Sequence, residues 1–173
     1  MTSTTQNPDA VVDEDAFAVR RTIRIAAPIE KVWQTVTEPA HISRWFGRAE
    51  LDGSGVGATG TMTFPDEGAT TETVLPLRVE ACEEPHLIAY RWRNDDAHRD
   101  ANDGSVGDHA DVFSEDDTTV FTFTLEEVDG GTRLTVVETG FQGTSNPAVN
   151  LENHREGWTS ELDKLVALLE GAA

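Results

Sequence analysis

The sequence is poor in several residue types, and each shortage excludes a class of protein. Only one of its 173 residues is cysteine, Cys82, so no disulfide can form within the chain. A lone cysteine is typical of a reducing compartment, and residues 1–16 lack the basic start and apolar run of a secretory signal. No run of 18 apolar residues occurs, so no membrane-spanning helix is predicted. Together these features predict a cytoplasmic protein.

Basic residues are also scarce. Thirteen lysines and arginines stand against 32 aspartates and glutamates, which gives a formal net charge of −19, and only Lys31 and Lys164 are lysines. A field of this sign repels phosphate backbones and anionic lipid surfaces, so neither nucleic acid nor a membrane is an expected partner. A solubilising surface and the salt adaptation of a whole proteome both explain the acidity, and both explanations stay open.

Length and charge pattern divide the chain into one domain and two polar segments. A chain of this size buries about 70% of its unfolded surface and needs no metal or disulfide to fold. Residues 1–16 are polar, acidic and aperiodic, and they are predicted to be a disordered tail. Residues 17–171 are predicted to form a single domain with an acidic loop at 95–117. A loop of that length is either functional or disordered.

The first part of the domain is predicted to be a strand followed by two helices. Apolar residues alternate along the strand, although Arg21 breaks the alternation. Its inward residues are Phe17, Val19, Ile23 and Ile25. Pro28 and Pro39 each suit the first position of a helix, and Gly47 suits the end of the second helix.

The remainder is predicted to be a run of strands and one long helix. From Arg48 onward the apolar period becomes two, through about six segments separated by turn residues. The last helix is predicted to begin at Pro147, with Asn146 as its N-cap, and to end at Glu170. Its apolar stripe is Leu151, Trp158, Leu162, Leu165 and Leu169. This order predicts an α+β fold, with helices gathered on one face of an antiparallel sheet of about six or seven strands.

Four blocks of sequence resemble one known family in the same order. They are "IAAPIEKVWQTVTEPAHISRWFG" at about 24–47, "PHLIAYRWR" at 85–93, "GGTRLTVVETGF" at 130–141 and "REGWTSELDKL" at 155–165. The chain resembles the SRPBCC superfamily, which includes the START domains and the birch-pollen allergen fold. Within it, the chain is most similar to the C-terminal domain of the activator of heat-shock-protein-90 ATPase. The loop at 95–117 is longer and more acidic than is usual in that subfamily.

The resemblance implies a helix-grip fold and three alternative functions. In this fold a curved sheet wraps around the C-terminal helix and often leaves a cavity between them. The first implied function is non-enzymatic binding of a small apolar or amphipathic molecule in that cavity. The second is a co-chaperone role, although the eukaryotic activators carry an additional N-terminal domain that residues 1–16 are too short to supply. The third is a cyclase-like or hydrolase-like enzyme acting on aromatic or polyketide-like substrates. No cofactor is implied.

A set of large side chains is predicted to converge between the sheet and the long helix. These candidate ligand-binding residues are Trp45, Phe46, Met62, Phe64, Tyr90, Trp92, Phe121, Phe123, Glu138, Phe141, His154, Trp158 and Leu162. Aromatic residues of this kind either line an apolar pocket or simply fill a close-packed core. The sequence leaves both alternatives open.

Three members of this set carry groups that could act in catalysis. Alternation places Glu138 on the inward face of its strand, where a carboxylate is costly unless it is paired or protonated. Glu138 is therefore either a general base or ligand contact, or a structural group bonded to Arg155 or to an indole. His154 lies one helical turn before Trp158 and is either a proton carrier or a satisfied boundary residue. Tyr90 is the third candidate, because its hydroxyl needs a partner when buried.

No metal site is predicted. The segment "DANDG" begins like a calcium-binding EF-hand loop, but Gly104 comes one residue too early and no glutamate follows at the required spacing. His98 and His109 are too far apart for a typical zinc pair.

Gly157, beside Trp158 in the last predicted helix, costs about 1 kcal/mol relative to alanine. Our hypothesis is that the helix approaches the sheet closely here, and that Gly157→Ala is therefore destabilising.

Overall fold

A computed structural model describes residues 7–65, 72–93, 118–144 and 146–171. Within these ranges there are eight strands: β1 (Val11–Asp13), β2 (Ala18–Ile25), β3 (Arg48–Asp52), β4 (Thr59–Pro65), β5 (Glu72–Glu83), β6 (Leu87–Trp92), β7 (Thr119–Val128) and β8 (Gly131–Thr139). The same described ranges contain three α-helices: α1 (Ile29–Thr37), α2 (Pro39–Ile42) and α3 (Pro147–Gly171). A short 3-10 helix, Phe141–Gly143, precedes α3.

The strands form one antiparallel sheet in the order β1-β2-β8-β7-β6-β5-β4-β3. The sheet carries the helices against its inner face, as an α+β helix-grip fold requires, and it has more strands than the six or seven predicted. Alternate residues of β8, from Thr132 through Leu134 and Val136 to Glu138, are buried. The period-two pattern therefore identified the inner face of this strand correctly.

The start of the domain differs from the prediction. Residues 11–13, which were expected to be part of a disordered tail, form β1 and pair with β2, and Ala10 is buried. Phe17 does not continue the inward face of β2, because it lies before the strand with a φ of 48° and is partly exposed. The predicted acidic loop at 95–117 lies outside the described residues.

Arg21 does face inward, and this explains the break in the apolar pattern. Its guanidinium group is buried and donates to the carbonyl oxygens of Pro8, Trp158 and Thr159 and to a carboxylate oxygen of Asp163. A buried charge is tolerated when its hydrogen bonds are satisfied in this way. Arg21 consequently ties β2 and the N-terminal segment to the middle of α3.

The long helix matches its prediction closely. It begins at Pro147, and the side-chain oxygen of Asn146 accepts a hydrogen bond from the backbone N–H of Val149, as an N-cap should. All residues of the predicted stripe are buried. The second short helix is shorter than predicted, since α2 ends at Ile42 and residues 43–47 form irregular turns. None of the helices in the described ranges is long and apolar enough to cross a membrane.

The hypothesis about Gly157 is wrong. A Cβ atom built on Gly157 meets no atom within 4 Å, so no close approach exists there. Gly47 is a crowded glycine beside the aromatic interior, since a Cβ there would lie 2.8 Å from Cε1 of Phe64 and 3.0 Å from Sδ of Met62. The close contact at Gly47 thus lies between the segment after α2 and β4.

Candidate functional site

Glu138 lies inside the molecule, at the C-terminal end of β8. Its side chain is fully buried, and its strand neighbours in register are Val19 on β2 and Phe121 on β7. The α3 helix lies beside it, since two buried side chains of α3, His154 and Trp158, contact the carboxylate. A carboxylate has therefore been placed between the sheet and the long helix.

Four side chains donate hydrogen bonds to this carboxylate. Oε1 accepts from Nδ1 of His154 and from the indole Nε1 of Trp158, both at 2.8 Å. Oε2 accepts from the indole Nε1 of Trp92 at 2.9 Å and from the hydroxyl of Thr119. An ionised carboxylate accepts about four hydrogen bonds, so its acceptor capacity is filled. We call these five residues the Glu138 cluster.

The electrostatics of the Glu138 cluster favour an ionised carboxylate. Burial by itself would raise the pKa of Glu138, but the charge and hydrogen bond of His154, with the bonds from Thr119 and Trp92, hold that pKa below its ordinary value of 4.5. The expected alternative partner, Arg155, pairs instead with Glu152 on the outer surface of α3. The cluster is thus a buried acid–imidazole pair with two indoles attached.

His154 is held in one orientation by the pair. Its Nδ1 carries the proton that is donated to Glu138, and its ring packs edge-on against Phe141, with centroids 5.0 Å apart. Trp92 packs against the same ring at 6.0 Å. A carboxylate that fixes an imidazole tautomer is the arrangement that general acid–base sites use, and structural ion pairs share it.

Tyr90 belongs to a different part of the interior. Its hydroxyl donates to the backbone carbonyl of Val36 at 2.7 Å, and burial raises the pKa of Tyr90 far above its ordinary value. The indole of Trp45 donates in the same way to the carbonyl of Thr35 at 3.0 Å. Both carbonyls belong to α1. We call Tyr90 and Trp45, with the carbonyls of Thr35 and Val36, the Tyr90 cluster.

The predicted candidates therefore meet only in part. Glu138 and His154 are directly bonded, whereas the hydroxyl of Tyr90 is committed to α1. The other candidates all belong to, or pack against, one hydrophobic core: Trp45, Phe46, Met62, Phe64, Trp92, Phe121, Phe123, Phe141, Trp158 and Leu162. The structure brings the predicted set into one interior without joining the three polar members at one point.

The part of this interior that is described is close-packed. Between α1, α2 and the sheet, a void of about 10 Å³ remains, lined by Val36, Ile42, Trp45, Phe46, Met62, Tyr90, Phe121 and Phe123. One water molecule needs about that volume, and pockets for drug-sized ligands have roughly 300–1,000 Å³. The filled-core alternative describes the residues around this void.

Phe46 is one of the aromatic side chains in this interior that reach the surface. Phe46 is half-buried, and its ring stacks on Trp45 with centroids 5.1 Å apart. It also contacts Trp158 at 5.3 Å, Trp92 at 5.6 Å and Phe121 at 6.0 Å. Trp45, Trp92, Phe121 and Trp158 are each at most 3% exposed. Phe46 is thus a half-buried ring surrounded by these four buried side chains, which we call the aromatic cage.

Two residues that matter here were missed by sequence reasoning. Arg21 was taken as an irregularity, although a charged residue at an inward position is itself a signal of a buried partner. Thr119 lies on the same alternating face as Phe121 and Phe123, so extending the pattern by one step would have placed it beside Trp92, its register partner. No pattern in the sequence shows that its hydroxyl bonds Glu138.

Two features outside this interior bear on a possible site. An open surface groove of about 400 Å³ lies between the start of α1 and the β7–β8 turn, lined in part by Ala26, Glu30, Glu127 and Gly131, and it contains no predicted site residue. Within the described ranges, no group of three or more histidine, cysteine, aspartate or glutamate side chains is placed to hold a metal ion. His98 and His109 lie outside those ranges.

Comparison with known protein families identifies one family whose model matches most of the chain. The family model described as "Activator of Hsp90 ATPase homolog 1-like protein" matches residues 26–170, which include all three helices and the Glu138 cluster. No curated protein sequence matches the chain.

Solved structures show the same fold. Protein MLL2253 from Mesorhizobium loti is 25% identical, with a TM-score of 0.66 over 90% of this chain and 98% of that one. CalU16 from Micromonospora echinospora is 19% identical, with a TM-score of 0.59 over 94% and 84% of the two chains. DynU16, a protein in the dynemicin biosynthetic locus, is 21% identical with a TM-score of 0.63, and the match covers 88% of this chain and 47% of DynU16.

Proposed function

Because the chain belongs to the family of activator of Hsp90 ATPase homolog 1-like proteins, within the SRPBCC superfamily, we propose that it is a non-enzymatic binding protein for a small apolar or amphipathic molecule. The ligand is held between the sheet and α3, among the aromatic rings that surround Phe46. Fold alone does not assign function, so the proposal rests on particular residues of this interior.

The observation that carries the proposal is the Glu138 cluster. Burying an ion pair contributes little net stability compared with a well-packed apolar core of the same volume. Here the chain commits two indole N–H groups, an imidazole and a hydroxyl to one buried carboxylate. Perturbed titratable groups in an interior are enriched at functional sites. The cluster fixes the orientation of Trp92 and Trp158, which form two walls of the aromatic cage.

Ligand entry requires movement of side chains. A void of about 10 Å³ accepts no organic molecule, so the ligand displaces rings that fill the cage in its absence. Phe46 is half-buried and lies on an irregular segment between α2 and β3, so it is the ring that we expect to move.

Native mass spectrometry of freshly purified protein is the direct test. We expect a species heavier than the chain by a small molecule, which is lost on denaturation. A thermal-shift screen against lipids and uncharged aromatic compounds follows, since a ligand at 100 times its Kd stabilises the native state by about 2.7 kcal/mol. The proposal would be contradicted if native mass spectrometry showed only the mass of the chain and no compound in the screen raised its melting temperature.

A matched pair of tryptophan variants locates the site. Trp158→Phe removes an indole that bonds Glu138 and faces Phe46, and we expect it to weaken binding of any compound found in the screen. Trp33→Phe makes the same chemical change in α1, at a buried tryptophan outside the cage, and binding should be unchanged. Equal effects of the two variants would place the ligand elsewhere.

The family description favours a second candidate function, stimulation of a chaperone ATPase. The acidic surface would require a basic patch on the chaperone, so the association should weaken as salt increases. Purified Hsp90-type chaperone can be assayed for ATP hydrolysis with and without this protein. An unchanged rate at low salt and no complex on a sizing column would exclude this function for the chaperone tested.

The bond between Glu138 and His154 favours a third candidate, proton-transfer catalysis. An oriented imidazole is a suitable general base, although Tyr90 does not join it. Glu138→Gln should then abolish turnover of a substrate found in a screen, while leaving binding of that substrate measurable. Unchanged turnover in the variant would rule out a role for the pair in that reaction.

A further inference from the structure

Phe46 occupies the centre of the proposed site. Its ring is packed against Trp45, Trp92, Phe121 and Trp158, and Phe64 covers its remaining side with centroids 5.5 Å apart. Four of these neighbours are buried, while Phe46 and Phe64 are half-buried. Removal of this one ring would therefore leave a slot that is walled by aromatic faces and open at the surface.

The backbone that carries Phe46 lies outside regular secondary structure. Residues 43–47 belong to neither a helix nor a strand, and the N–H of Phe46 bonds the carbonyl of Ile42 at the end of the four-residue α2. The neighbouring indole of Trp45 is anchored to Thr35, whereas a phenylalanine ring has no polar anchor. Phe46 also lines the void of about 10 Å³, which leaves its inner edge incompletely packed.

The walls of this slot determine what could replace the ring. The indole N–H of Trp45 is donated to Thr35, and those of Trp92 and Trp158 are donated to Glu138. A ligand in the slot therefore meets aromatic faces and edges, and it receives no hydrogen bond from these three indoles unless an existing bond breaks. Stacked and edge-to-face contacts are what such walls favour.

Electrostatics further restrict the class of ligand that the slot can bind. The carboxylate of Glu138 is bonded to two walls of the slot, and the whole chain carries a formal charge of −19. An anionic group would approach against the charge of the whole chain, and inside the slot it would lose its hydration while the imidazole of His154 is already bonded to Glu138. An uncharged ligand meets neither penalty.

We propose that the Phe46 ring occupies the ligand position of this site, and that the ligand is an uncharged planar aromatic group which replaces the ring among Trp45, Trp92, Phe121 and Trp158. This proposal rests on the proposed function and adds to it the position and the class of ligand. The Phe46 ring then competes with the ligand for the same slot. The apparent affinity is reduced by the fraction of molecules in which Phe46 stays in the slot.

The test uses 2-naphthol as an uncharged probe and 2-naphthoate as its anionic counterpart, both titrated by calorimetry. Phe46→Ala should bind 2-naphthol at least about tenfold more tightly than wild type, because its slot is already empty. Phe46→Trp should bind at least about tenfold more weakly, because a larger ring fills the slot. Phe17→Ala, a phenylalanine outside the core, should match wild type. For wild type, 2-naphthoate should bind at least about tenfold more weakly than 2-naphthol.

A second measurement needs no variant. In wild-type protein, nuclear Overhauser contacts between the ring protons of Phe46 and the indole protons of Trp45 and Trp158 should be lost when 2-naphthol saturates the site. New contacts from the probe to the same indoles should replace them. Persistence of the Phe46 contacts at saturation overturns the proposal, even if every variant fails to fold.

The outcomes separate the two proposals. If the screen finds ligands for wild type but the Phe46 variants bind 2-naphthol within about twofold of wild type, Phe46 does not occupy the ligand position and the proposed function stands. If 2-naphthol binds Phe46→Ala but not wild type, the substitution has only created a cavity, and the proposal is overturned. If neither the screen nor 2-naphthol yields binding to wild type or variants, the proposed function itself fails.

Discussion

The Glu138 cluster and the Tyr90 cluster lie in the same interior, and they provide hydrogen-bond acceptors for buried polar groups in different ways. Each buries polar atoms of large aromatic side chains. In the Tyr90 cluster the partners are neutral backbone carbonyls of α1, at 2.7 and 3.0 Å. In the Glu138 cluster the partner is a single ionised side chain shared by four donors. The first arrangement anchors rings to a helix, whereas the second concentrates charge where the sheet meets α3.

The difference has an energetic consequence. A neutral hydrogen bond contributes about 0.5–1.5 kcal/mol net, because folding exchanges it for bonds to water. Removing one member of a buried charged network is more costly, because its partners are left without compensation. Substitutions in the Glu138 cluster should therefore be far more destabilising than equivalent substitutions in the Tyr90 cluster.

The largest expected effect is that of Glu138→Ala. The change leaves two indole N–H groups, an imidazole and a hydroxyl without their shared acceptor, and it opens a cavity. We expect a loss of about 3–5 kcal/mol in the free energy of unfolding, measured by urea denaturation. A loss below about 1 kcal/mol would mean that the cluster is not tightly coupled.

The second effect is a dependence on pH. The pKa of Glu138 is lower in the folded protein than its ordinary value of 4.5, so the folded state binds fewer protons at this group than the unfolded state. Its contribution is fully present above about pH 4.5 and is lost as the pH falls through the folded pKa. Between pH 5 and 3, wild type should lose more stability than Glu138→Gln. Parallel curves for the two proteins would exclude Glu138 as the titrating group.

The third effect belongs to the Tyr90 cluster. Tyr90→Phe removes the hydroxyl that bonds the carbonyl of Val36 and leaves the ring contacts with Phe121 and Phe123 in place. We expect a loss of about 1–2 kcal/mol in the free energy of unfolding and no change in its pH dependence below pH 5. A loss as large as that of Glu138→Ala would remove the proposed distinction between the two clusters.

The last comparison concerns two glycines, and it includes the smallest expected effect, that of Gly157→Ala. Gly157 in α3 has open space where a Cβ would lie, so Gly157→Ala should stabilise the protein by up to about 1 kcal/mol. Gly47 faces Phe64 and Met62, so Gly47→Ala should destabilise it by about 1–3 kcal/mol through overpacking. Thermal melts of the two variants provide the comparison. Destabilisation by Gly157→Ala would instead support the hypothesis of a close approach between α3 and the sheet, which the structure contradicts.

The sequence supported the fold better than the site. Alternation along β8 correctly placed Glu138 inward, and the 3.6-residue period placed His154 and Trp158 on one face of α3. Each is a local property, because it depends on the spacing within one element. The prediction for Gly157 failed because it concerned a distance between two elements, on which the spacing within a helix carries no information.

Residue pattern and family resemblance thus determined the α+β class, the order of elements and the list of inward-facing residues, since backbone geometry converts spacing directly into a face. Only the tertiary structure decided that Glu138 bonds His154 and both indoles, that Tyr90 turns to α1, and that Phe46 fills the centre of the cage. Those outcomes depend on close packing between elements that are distant in sequence, where shifts of about 1 Å decide which donor reaches which acceptor.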